Sequence, residues 1–369
     1  MKQKQPTIDL LILLLTTALT IIGLIFVLSS SFVWASHRFG DGFYFFKRQL
    51  LFANLGFIGM IAISKIDYRI YKKHASKLLI ACLVLMVLVL VPGIGMVRGG
   101  ARSWIGIGAF SLQPSEFMKL ALIIFLAKFM ADNPDDAKTL KHGILPLLGI
   151  ILVIFGLIML QPDFGSGMVI VAGGILMLFL CGVPVKYFLY FVVAGLIGIT
   201  GLIAAAPYRL ARITSYLDPL ADPLGSGFQI LQSLYAIAPA GLLGHGLGNS
   251  IQKHFYLPEP QTDFIFAIIA EEIGFIGSAF VLFLFICFFL RLGYIALKTN
   301  DLFAKYVILG TTAMLCVQVM INVGVVIGLL PVTGITLPFM SYGGSSLTIT
   351  LLSMGVILNI SRFTEEKPL

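Results

Sequence analysis

A chain of 369 residues with 59% hydrophobic and only 11% charged residues is not a soluble globular domain, which would carry about a quarter charged residues. Mean hydropathy is +1.01, and apolar runs of about 18 residues or more recur along the whole length. The sequence therefore predicts an all-α, polytopic membrane protein, one integral domain over 1–369 with no separate soluble part. The formal net charge of +8 falls in loops facing anionic lipid and gives no sign of nucleic-acid binding.

Ten spans are expected, at about 8–30, 48–64, 77–97, 115–131, 143–161, 165–182, 185–206, 264–290, 304–330 and 343–361, each close to the length a bilayer requires. The first run is too long for a signal-peptide core and lacks a small-residue cleavage site, so it reads as a span. Cys82, Cys181, Cys287 and Cys316 all lie in apolar runs and read as free thiols. Basic residues set the orientation. Lys65, Arg69, Lys72 and Lys73, then Lys138 and Lys141, Arg291 and Lys298, and Arg362 all share one side if the N-terminus lies there. That side should be the cytoplasm. Both termini are then cytoplasmic, and residues 207–262 form a long extracytoplasmic loop between the seventh and eighth spans. A loop of that length is usually functional, and its Gly-rich, apolar-flecked sequence should fold back onto the membrane face.

Several motifs fall on the outer side. Arg98-Gly99-Gly100-Ala101-Arg102-Ser103-Trp104 fits an interfacial tryptophan with snorkelling arginines, or a phosphate-contacting turn. In Gln113-Pro114-Ser115-Glu116-Phe117-Met118-Lys119, proline suits the first helical turn, and Glu116 and Lys119 share a face three residues apart. A charged pair at hydrocarbon depth is a functional candidate, with mutual neutralisation the alternative. Gln161-Pro162-Asp163 repeats the pattern, where helix capping alone would explain the acid. The long loop carries Arg209 and Arg212, then Asp222 to Gln229, and a glycine-flanked His245. The glycines permit close backbone approach, but no preceding strand supports a nucleotide loop. Asp263 ends the polar stretch Leu257 to Thr262 just before an apolar run. It is either a helix cap or a boundary carboxylate of tunable basicity. Ser341 to Ser346 opens the last span with small hydroxyl and glycine residues, suited to capping, packing or hydrogen bonding to a sugar or diphosphate.

Together these motifs resemble the SEDS family of shape, elongation, division and sporulation proteins over essentially the whole chain. The most specific match runs from Asn322 through Gly328, Pro331 and Gly334 to Ser341-Tyr342-Gly343-Gly344-Ser345-Ser346. Gln113 to Glu116 and Thr262-Asp263-Phe264-Ile265-Phe266 also match. The chain is most similar to the FtsW and SpoVE branch, with the short tails of its sporulation members.

The resemblance implies a peptidoglycan glycosyltransferase that polymerises lipid II, a disaccharide-pentapeptide on undecaprenyl diphosphate, for septal or spore cell wall. It implies that Asp263 is essential. A carboxylate there can take the acceptor hydroxyl proton as the donor's anomeric carbon is inverted. Arg102, Lys119, Arg209 and Arg212 are candidates to face the diphosphate, with Glu116, Asp163, Gln229, Glu271 and Ser345 completing the expected substrate site. No residue set has metal-ligand spacing, and Mg or Mn is only a candidate cofactor. The implied partners are a class B penicillin-binding protein, a transpeptidase with one span, and other divisome or sporulation cell-wall proteins. Phe283, Phe285, Phe288 and Phe289 are expected to receive that span or face lipid. Two other functions compete: a lipid II flippase lined by Glu116, Lys119, Glu271 and Glu272, and a non-catalytic scaffold. The outer-side clustering of motifs favours the polymerase. Glu116, Lys119 and Asp163 should form one cluster, and Glu271, not Glu272, should face the Asp263 side.

Overall fold

The computed structural model describes residues 8–98, 100–107, 110–204, 216–225 and 227–364. Arg209 and Arg212 lie outside the described residues. The chain begins with α1 (Leu10–Phe39), α2 (Tyr44–Ile63) and α3 (Arg69–Leu90). Strands β1 (Gly95–Arg98), β2 (Ala101–Ile107) and β3 (Phe110–Leu112) follow, then α4 (Pro114–Asp132), α5 (Leu145–Met159), α6 (Phe164–Leu180) and α7 (Lys186–Ala204). A short helix α8 (Phe228–Ile237) lies inside the long loop, before α9 (Ile265–Lys298), α10 (Leu302–Val326) and α11 (Gly344–Ser361). A helix stands at each of the ten expected span positions. Among the described residues, α1, α2, α3, Leu140–Met159, α9, α10 and α11 are long and apolar enough to cross a membrane, while α6 is apolar but shorter. The protein is a multi-pass membrane protein.

The caps follow from the sequence. Asp9 accepts from Ile12 N to start α1, and Gly40 at φ 69° ends it. Pro114 occupies the first turn of α4, and Asp301 accepts from the Phe303 and Ala304 amides of α10. The third span does not reach residue 97. α3 stops at Leu90, and an antiparallel sheet in the order β1-β2-β3 occupies residues 95–112. Two-residue alternation around Trp104 was masked by the preceding apolar run and by the glycines. The four cysteines are free thiols.

Central α10 and α11 are the most enclosed spans. Small residues let neighbours approach closely: Gly56 of α2 meets Leu351 of α11, and a side chain at Gly355 would come within 2.7 Å of the Met60 carbonyl. Gly173 of α6 similarly faces Met314 of α10.

Polar side chains staple the end that holds both termini. Arg291 Nε donates to Asp9 Oδ2 at 3.0 Å, and Asp9 N donates to Ser361 Oγ at 3.1 Å. Asn359 accepts from Tyr68 N and donates to Ser64 O, both at 2.9 Å. The Tyr68 hydroxyl donates to Asp301 at 2.9 Å. Burial, then that bond, pushes its pKa up to about 12, so it stays a donor at neutral pH. Lys72 pairs with Asp132 at 2.8 Å. On the unbroken α1, a rise of ~1.5 Å per residue puts Ser29 about 30 Å from Asp9, roughly one hydrocarbon thickness. Ser29 belongs to a second ionic layer at the opposite, loop-bearing end.

Candidate functional site

At the loop end, the first two turns of α4 bring Glu116 and Lys119 together. Lys119 Nζ lies 2.8 Å from Glu116 Oε1, with both side chains almost fully buried. Lys119 also donates to Gln318 Oε1 of α10 at 3.0 Å, so it points into the bundle and away from lipid. A cavity of about 20 Å³ adjoins the pair, lined also by Thr311, Thr350 and Ser353. That is room for about one water.

Asp163 joins this pair through an intermediary. Its Oδ1 accepts from Ser166 N at 3.1 Å, capping α6, and its Oδ2 accepts from Gln113 Nε2 at 2.9 Å. Gln113 N in turn donates to Ser345 Oγ of α11 at 3.1 Å. In this turn outside the helices, burial raises the Asp163 pKa, and the nearby Glu116 carboxylate adds to the rise. The two Gln-Pro sequences therefore diverge. Gln113 gathers the site, whereas Gln161 donates to Met86 O at 3.0 Å, and its carbonyl accepts from Arg102 N at 3.1 Å.

Asp263 is half-buried in the turn before α9. The N-cap of α9 is Phe264, which makes no side-chain capping bond, and Asp263 stands one residue before it. The Thr262 hydroxyl lies 2.8 Å from Asp263 Oδ1. The Asp263 carbonyl accepts from Asn322 Nδ2 at 2.7 Å, and the same nitrogen donates to Ile335 O at 2.7 Å. Gln318, one turn earlier on α10, donates to Thr336 O at 2.9 Å. Two amides four residues apart thus bracket the 335–336 segment, one reaching Lys119 and the other Asp263. Sequence reasoning missed Gln318 and used Gln113 and Asn322 only as motif boundaries. The available signal was the pair of amides at i, i+4 inside an apolar span.

Among the described residues, no side-chain bond to this cluster is seen for Arg102 or Gln229. Arg102 is half-exposed on β2, and Gln229 is half-buried in the first turn of α8. The Glu271 carboxylate accepts from Ile251 N at 2.7 Å, Gln252 N at 3.3 Å and the Ser250 hydroxyl. Glu272 pairs with Lys253 Nζ at 3.0 Å and accepts from Ser29 Oγ at 2.6 Å. Neither glutamate lines the Glu116 cavity.

The Gly-rich stretch 241–248 serves a different end from ligand approach. Gly274, at φ 65° and ψ −166°, breaks α9. Phe275 N and Ile276 N donate to the Gly241 and Leu242 carbonyls at 3.0 and 3.1 Å. His245 N and Gly246 N donate to the Glu271 and Glu272 carbonyls at 3.0 and 2.9 Å. The groups orphaned by the break are thereby satisfied, as membrane backbone requires. A Cβ at Gly244 would lie 2.4 Å from Glu272 O, so only glycine fits this splice.

Buried polar atoms without partners concentrate at this end. Among the described residues they include Ser115 Oγ, Gln161 Oε1, Gln261 Oε1, Asn322 Oδ1 and Thr333 Oγ1. Among the described residues, no three or more His, Cys, Asp or Glu side chains converge as a metal would require.

A family model described as cell cycle protein, covering FtsW, RodA and SpoVE, matches residues 9–366. The chain is 54% identical over 364 residues to stage V sporulation protein E of Bacillus subtilis (strain 168), covering 99% of this chain and 100% of that one. It is 42% identical to a probable peptidoglycan glycosyltransferase FtsW of Trichlorobacter lovleyi, covering 98% and 95%. A chain of a peptidoglycan synthase complex, solved to show structural coordination of polymerization and crosslinking, is 32% identical. It superposes with TM-score 0.79 over 97% of this chain and 99% of that one. The rod shape determining protein RodA of Thermus thermophilus is 29% identical with TM-score 0.70, covering 97% and 98%.

Proposed function

The chain belongs to the FtsW/RodA/SpoVE family of cell cycle proteins, and from that premise we propose that it is a peptidoglycan glycosyltransferase. It polymerises lipid II into β-1,4-linked strands at the outer face of the cytoplasmic membrane, for septal or spore cell wall. The observation that carries this reading is the half-buried Asp263 carboxylate in the turn before α9, held through its carbonyl by Asn322 at the end that also buries the Glu116–Lys119 pair.

Asp263 accepts the proton of the acceptor sugar's 4-hydroxyl. That oxygen attacks the donor's anomeric carbon from the face opposite the lipid diphosphate. The new O4–C1 bond forms as the C1–O bond to the diphosphate breaks, inverting the carbon. A positioned base contributes about 10²–10⁴-fold. Arg102, with Arg209 and Arg212 from the loop, offsets the charge on the leaving diphosphate. Lys119 already pairs with Glu116 and contributes as part of that neutral unit. Gln113 and Ser345 orient sugar hydroxyls, and Gln229 is a contact from α8. The stapled terminal end weighs against a flippase, which needs access from both leaflets.

The terminal end faces the cytoplasm, and the loop faces outward. The partner is the single span of a class B penicillin-binding protein, lying along α9. Phe285 and Phe288 are buried in the core and do not face it. Phe275, Phe280, Phe283, Ile286 and Leu290 are exposed and form the corrected face. Incubating the purified protein with labelled lipid II tests the activity: glycan strands are expected, and their absence with an active partner present contradicts the reading.

A further inference from the structure

The segment 248–263 delivers Asp263 without a helix or strand of its own. Its position is fixed by a few anchors. At its far end, the Gln261 carbonyl accepts from Tyr342 N at 2.8 Å, and the Asp263 carbonyl accepts from Asn322. At its near end stands the second ionic layer. Lys253 is 4% exposed and Glu272 fully buried. All three ammonium hydrogens of Lys253 are committed, to Glu272, Ser29 and the Gly248 carbonyl. Glu272 also accepts from Ser29. The pair therefore ties the loop to α1 and to the outer part of α9 at once. It has no donor left for a substrate anion, which rules out a diphosphate role.

Between the two anchors, Phe255 and Glu259 hold φ values of 68° and 47°. Non-glycine residues keep such conformations only when the surroundings over-determine them. A strained link held at both ends moves when one end is released, and here the moving end carries the carboxylate. Glu271 secures the same near end by caging residues 250–252.

We propose that Lys253, Glu272 and Ser29 form a positioning clamp that sets Asp263 in its reactive place, by fixing the near end of the strained segment that carries it. This rests on the polymerase reading. A buried ion pair costs solvation, so exchange for apolar residues of similar volume is often neutral for stability. That separates positioning from folding.

The test is the double variant Lys253→Met/Glu272→Met, purified and assayed with lipid II beside the wild type. The expected result is a melting temperature close to wild type, kcat lower by about 10²-fold, and KM little changed. Amide hydrogen exchange across 254–262 should be faster. Wild-type kcat in a folded double variant overturns the proposal, as does a change confined to KM. Should the double variant not fold, Ser29→Ala decides. It removes one hydroxyl and is expected to lower kcat about threefold, as the loss of one hydrogen bond would, again without a KM change. Unaltered kcat in Ser29→Ala would then overturn the clamp. A wild-type protein that makes no glycan under the same conditions contradicts the function itself and leaves the clamp's exchange signature separately readable.

Discussion

The two ends of the bundle both bury polar side chains, yet they spend them differently. At the terminal end the named side chains pair across helices: Asp9 with Arg291, Tyr68 with Asp301, and Asn359 between Tyr68 and Ser64. At the loop end, Gln113, Gln318 and Asn322 instead hold charged groups and the backbone of an irregular segment in place, Gln113 on Asp163, Gln318 on Lys119 and Thr336, and Asn322 on the Asp263 carbonyl. Polarity inside a membrane protein does not by itself mark a site. The mark is polarity spent on holding a carboxylate and an irregular segment in place.

The largest stability effect should come from splitting the buried pair. Lys119→Met leaves the Glu116 carboxylate unpaired and should cost ~3–5 kcal/mol, read as a lower Tm, with polymerisation lost. Adding Glu116→Gln should restore most of the Tm but not the activity. Recovery of activity would show the pair to be packing only.

Next are two amides, one at each end. Asn322→Leu and Asn359→Leu each strand buried backbone groups, at about 1–3 kcal/mol apiece. Only Asn322→Leu should lower the specific activity of the folded protein. Equal activity losses at both ends would break the contrast. The smallest effect belongs to the lipid-facing side. Phe283→Ser should change stability by less than about 0.5 kcal/mol and leave polymerisation intact, while weakening co-purification with the transpeptidase. Unchanged co-purification would move the partner's span elsewhere.

Much of this contrast was legible in the sequence. Span positions follow from apolar length, Glu116–Lys119 from i, i+3 spacing, and the Asp163 cap from its place before a helix. Three features were not. The β1–β3 sheet abuts an apolar span, and its alternation is short. The splice at Gly274 pairs residues 26 and 34 apart in sequence, and nothing local announces that a helix will break to receive a loop. The roles of Phe283 and Phe285 depend on which side of α9 faces the core, and in a helix apolar all round the hydrophobic pattern does not tell. Glu271 was assigned by rotation about the helix axis, but the loop folds back and encloses it.

The central claim is that Asp263 acts as the base and not as a cap. Asparagine keeps the volume and capping capacity but not the proton-accepting charge. Asp263→Asn and wild-type protein, purified in parallel and shown to have the same Tm, should be incubated with labelled lipid II. The account predicts glycan strands from the wild type and none from the variant. Strands of equal yield and length from a folded Asp263→Asn protein would contradict it.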